Sequence, residues 1–181
     1  MVAGYEWISP TRLVGLTAYG ASLLACLARW VSCRKSRVAG RPFALLSAAQ
    51  LFLLLDMAFD WRWKLHGFWM QEAAALGVYD QRRLPQAMAL GLLLLASAIG
   101  CFAILARFRI RPGLTIAVMG TLLSLGLWCC ECISLHMLDQ IFYRLVRGVM
   151  LVSLLWAALA LVTCFGAWRD GRDHLSVEPQ R

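Results

Sequence analysis

Residues 56–69 read DMAFDWRWKLHGFW and follow an apolar run that begins at Phe43. Asp56, Asp60, Arg62, Lys64 and His66 fall within eleven positions of one another. The stretch is either the wet end of a membrane helix or half of a site. The two readings differ in cost, because charges at a membrane rim are ordinary whereas an isolated charge deeper in lipid must find a partner.

Composition decides in favour of a membrane protein. The chain is 61% hydrophobic and only 15% charged, with a mean hydropathy of +0.67, whereas soluble domains carry about 25% charged residues. Its 181 residues leave no room for a separate soluble domain once the spans are counted. The net charge of +8 is explained by arginines that flank spans and meet lipid headgroups, so the expected partner is the bilayer and not nucleic acid. Only Lys35 and Lys64 are lysines among the basic residues, a usage that suggests a bacterial source.

Five stretches are long enough to cross about 30 Å of hydrocarbon at about 1.5 Å per helical residue: Leu13–Val31, Phe43–Trp61, Gln86–Ala106, Gly113–Leu138 and Val146–Trp168. They lack the alternation of barrel strands, so an all-α transmembrane bundle over residues 1–168 is expected. The polar tail 169–181 is expected to be disordered. "SLLAC", ending at Cys26, has the look of a lipoprotein cleavage site, but Glu6 before it and the basic residues after it oppose export, so the first span is kept. Eleven basic residues fall on one side and seven on the other, which places the N-terminus outside and the C-terminus in the cytoplasm of a bacterial inner membrane.

Internal similarity suggests how the spans pair. "CLARW" ends the first span and "ILARF" the third, and each precedes a basic loop closing in Arg-Pro, Arg41-Pro42 and Arg111-Pro112. A tandem two-helix repeat plus one extra helix follows, and transporters of repeated build place their site at the repeat interface. Small residues such as Gly120 and Ser124 allow close helix contact, within the chain or between chains of a homo- or hetero-oligomer.

Measured from these markers, Asp60 lies 19 residues beyond Arg41 and Glu131 lies 20 beyond Arg111, while His66 and His136 each lie 25 beyond. If both helices run unbroken, the two acids share one height near 30 Å and the histidines another, about 37 Å. Asp56 and Asp60 share a helix face, and His136 and Asp139 stand one turn apart. Trp61, Arg62, Trp63 and Lys64 are assigned to the interfacial belt. Asp60, His66, Glu131, His136 and Asp139 then form a mixed nitrogen and oxygen set suited to zinc or iron, although no HExxH or ExxH pair supports it. Haem b between His66 and His136 is a less favoured alternative, and proton or cation handling by Asp56, Asp60 and Glu131 is another. A fourth reading has the charges simply lock helices in a subunit without chemistry of its own.

Two further features complete the reading. Leu65, Phe68, Trp69, Ala73 and Leu76 recur at helical spacing and predict an interfacial helix, read first as a membrane-surface strap and alternatively as a lid that brings Glu72 over the acids. Cys129 and Cys132 form a C-x-x-C, but no second cysteine pair stands in an outer loop, so packing is the expected role of the seven cysteines.

Overall fold

The computed structural model describes residues 9–33, 37–77, 83–107, 111–133 and 136–175. Seven helices occur among them: α1 (Pro10–Ser32), α2 (Arg37–Phe59), α3 (Trp61–Ala75), α4 (Arg83–Arg107), α5 (Pro112–Ile133), α6 (His136–Phe142) and α7 (Leu151–Leu175). Five of them, α1, α2, α4, α5 and α7, are long and apolar enough to cross a membrane. The chain is an all-α, multi-pass transmembrane bundle.

Helix α1 starts where Ser9 Oγ accepts the Arg12 backbone N–H and Pro10 opens the first turn, a position where proline's missing N–H costs nothing. Helices α1, α2, α5 and α7 pack into the central bundle, and α4 joins it mainly through α5. The most extensive contact is between α5 and α7. It is made by small residues: a Cβ added at Gly120 would meet Thr163 Oγ1 at 2.5 Å, and one at Gly166 would meet the Ala117 Cα at 2.8 Å. Burial of apolar surface does not drive association in lipid, so this close backbone approach is what holds the pair.

Two apolar clusters fill the bundle, one around Cys26, Phe43, Leu114 and Ala167 and the other around Tyr19, Leu53, Met57, Val152 and Trp156. Between them lies a polar layer in which Gln50 Nε2 donates to Thr121 Oγ1 at 3.0 Å and Ser22 Oγ to the Ala18 carbonyl at 3.0 Å. The expected pairing of spans one with two and three with four is present as α1 against α2 and α4 against α5.

Several boundaries differ from those expected, each for a local reason. The second span stops at Phe59 because Asp60 is in the left-handed region (φ 56°, ψ 38°), and the chain restarts there as α3. The fourth span ends at Ile133, and the expected extension to Leu138 is instead part of α6. A two-residue hairpin pairs Leu145–Val146 with Val149–Met150, turned by Arg147 (φ 51°) and Gly148 (φ 85°) as a type I′ turn requires. The fifth span therefore begins at Leu151, not Val146. It also runs on through residues 169–175, assigned above to a disordered tail, because Asp170 is anchored by arginines; residues 176–181 lie outside the described residues.

Candidate functional site

The left-handed Asp60 decides the geometry of the site. Were α2 to continue, Arg62 would sit six residues past Asp56 and on a different face. The break turns the chain so that Arg62 folds back over the end of α2. Its backbone N–H donates to Asp56 Oδ1 at 2.8 Å and its Nε to Asp56 Oδ2 at 2.6 Å. Its Nη1 donates to Glu131 Oε2 on α5, and Glu131 Oε1 accepts from Trp156 Nε1 on α7 at 2.8 Å. The guanidinium carbon also stands 5.0 Å from the Trp156 ring centroid, within reach of a cation–π contact.

This cluster is closed to solvent. The side chains of Asp56, Glu131 and Arg62 are 0%, 1% and 5% exposed. Burial alone would push Arg62 below its ordinary value, but Glu131 and Asp56 outweigh it and hold the guanidinium above that value, so it stays a cation. Two carboxylates face one guanidinium, which leaves a formal excess of one negative charge. Arg62 Nη2 has no hydrogen-bond acceptor among the described residues. Tyr19, 1% exposed, lies within electrostatic reach of all three charges.

A cavity of about 40 Å³ borders the cluster and is lined by Arg12, Asp60, Arg62, Glu131 and Tyr143 among others. It is large enough for a water molecule. Arg12 closes one side, with Nη1 donating to Asp60 Oδ2 at 3.1 Å and Nη2 to the Ala58 carbonyl at 2.5 Å.

Asp56 and Glu131 do meet, and α2 and α5 are neighbours, but the meeting is through Arg62, which the sequence reading assigned to the interface. Glu131 is bridged to Asp56 through Arg62, whereas Asp60 pairs with Arg12. The equal-height argument for His66 and His136 loses its premise, since α2 breaks at Asp60 and α5 ends at Ile133. His66 stands half-buried on α3, edge-on to Trp63 with ring centroids 6.5 Å apart. His136 opens α6, its side chain lying outside the described residues, and Asp139 is half-buried in the first turn of that helix. Glu72 is exposed on α3 and does not line the cavity beside the cluster, so it does not roof the acids. Among the described residues no group of three or more His, Cys, Asp and Glu is arranged to hold a metal ion. The zinc or iron reading therefore finds no ligand set among the described residues.

A second charge cluster, absent from the sequence reading, lies at the opposite end of the same helices. Asp170 on α7 accepts from Arg29 Nε at 2.7 Å and from Arg111 Nη2 at 3.0 Å. Arg29 also reaches the Asp170 carbonyl at 3.1 Å. Two guanidinium groups share this one carboxylate, so the Arg29–Arg111–Asp170 cluster carries a formal excess of one positive charge.

The seven cysteines are free thiols. Cys26 is part of the apolar core, in keeping with the packing role expected of such residues. No family model matches the chain, and comparisons with curated proteins and with solved structures find no match.

Proposed function

We propose that this protein binds and releases a proton at the Asp56–Arg62–Glu131 cluster, as part of proton handling across a bacterial inner membrane. The observation that carries the reading is the charge count: two buried carboxylates share a single guanidinium. An unbalanced ion in a low-dielectric interior costs several kcal/mol, and a proton is the smallest species that removes it. The cavity beside Arg62 and Glu131 has room for a water molecule and reaches the Arg12–Asp60 pair. The basic count of the loops orients this end outward.

A second reading is favoured by how fully the cluster is bonded. Every oxygen of Asp56 and Glu131 accepts a hydrogen bond, which is what a helix lock without transport would need. Infrared difference spectra of the protein in lipid, taken between acid and alkaline pH, separate the two. Proton binding gives a carboxylic acid carbonyl band that disappears in Asp56→Asn or Glu131→Gln. Both variants leave a one-to-one ion pair and are expected to fold. A lock gives no titrating buried carboxyl over the range in which the protein stays folded, and that result would refute the proton reading. In liposomes, an imposed pH gradient should collapse faster with wild type than with Asp56→Asn.

A further inference from the structure

A larger cavity lies beside the charge cluster and is not part of it. It measures about 910 Å³ and opens between α3 (residues 65–73), the first turns of α4 (84–89) and the end of α5 (132–133). That volume is near the top of the range of small-molecule sites, about 300–1,000 Å³, which are typically apolar with a few placed polar groups. We infer that this cavity binds a long-chain amphiphile of the membrane whose head is uncharged and carries a hydroxyl or carbonyl group.

The chemistry of the wall selects the head. Eight of the eleven lining residues are apolar, the others are His66, Gln86 and Cys132, and none carries a fixed charge. A phosphate, carboxylate or ammonium head would lose its water there and find no counter-ion among the lining residues. A neutral head loses far less and can be met by His66, whose imidazole makes no hydrogen bond to another described residue and whose ring is held edge-on by Trp63. Gln86 is fixed in the wall by its own bond, Nε2 to the Ile133 carbonyl at 3.1 Å. This bond ties α4 to the end of α5 at the mouth of the cavity.

The position of the cavity selects the tail and the route. It lies at the end of the bundle that carries Trp61, Trp63 and Trp69, the level at which amphipathic rings settle between headgroups and hydrocarbon. Its outer wall is α4, of which no described residue is buried, with Leu84 and Met88 69% and 61% exposed. A chain leaving the cavity along α4 is therefore already in hydrocarbon. Entry is lateral, from the bilayer.

The test uses the purified full-length protein and a diazirine-bearing monoacylglycerol, with a diazirine-bearing phosphatidylglycerol of the same chain length as the charged-head control. Cross-links mapped by mass spectrometry should concentrate on residues 65–73, 84–89 and 132–133, and unlabelled monoolein should compete. Ala89→Trp, at an exposed position of α4, fills the mouth and should cut monoacylglycerol labelling about tenfold, the equivalent of roughly 1.4 kcal/mol, without moving the unfolding temperature. His66→Ala should erase the preference for the neutral head. Labelling spread over the exposed faces of α1, α4 and α7 would overturn the proposal. So would equal labelling by the phosphatidylglycerol probe, or full labelling of a folded Ala89→Trp.

Discussion

Replacing Arg62 by methionine tests the physical core of the site. The substitution keeps much of the side chain's length and apolar contact but removes the guanidinium from between Asp56 and Glu131. Two charge-assisted hydrogen bonds disappear, Nε to Asp56 and Nη1 to Glu131, at roughly 1.5–3 kcal/mol each. Truncating one partner of a buried ion pair elsewhere costs about 3–5 kcal/mol, and the two routes agree. Arg62→Met should therefore lose about 3–5 kcal/mol, a hundredfold or more in the unfolding equilibrium at about 1.4 kcal/mol per tenfold. Cys26, 0% exposed, and Cys33, 7% exposed, supply the readout, since a thiol-reactive dye reports their exposure as detergent denatures the protein. The decisive control is the triple variant Asp56→Asn, Arg62→Met, Glu131→Gln, which carries no charge and should recover most of the loss. The reasoning fails if Arg62→Met costs under about 1 kcal/mol, or if the triple variant is no more stable than the single one.

Two further outcomes are expected in the same assay. Gly166→Ala places a methyl against the Ala117 backbone at the α5–α7 crossing and should destabilise by about 1–3 kcal/mol; Gly20→Ala on α1, with nothing within 4 Å of the new carbon, should be neutral or gain up to about 1 kcal/mol. Asp170→Asn leaves Arg29 and Arg111 without their shared carboxylate and should cost about 2 kcal/mol, an effect that Gly20→Ala does not mimic and that added anions should partly reverse.

The five spans and α3 were legible in the sequence because lipid imposes length and apolarity on every crossing, and those are properties of a continuous run. Asp56 and Glu131 were legible for the complementary reason that an acid surrounded by apolar neighbours must be paired. Arg62 was not. Periodicity carries a residue around an unbroken helix, and a single left-handed residue at Asp60 sends the following side chain somewhere no periodic rule reaches. The ruler that set His66 and His136 at one height failed on the same assumption. The Arg147–Gly148 turn was hidden because two-residue strands are too short to alternate. Asp170 was hidden in another way: "RDGRD" reads as a solvated tail until Arg29 and Arg111, distant in sequence, arrive beside it.

The two charge clusters have a joint electrical consequence. The Asp56–Arg62–Glu131 cluster carries a surplus negative charge and the Arg29–Arg111–Asp170 cluster a surplus positive one, so the two clusters together form a dipole directed from one end of the helices to the other. An energised membrane, negative inside, favours the orientation that puts the arginine pole in the cytoplasm, by up to about 2.3 kcal/mol per charge per 100 mV. The potential and the loop arginines thus favour the same insertion. A proton arriving at Glu131 or Asp56 would cancel one pole, so that the occupied and empty states would respond differently to the membrane voltage.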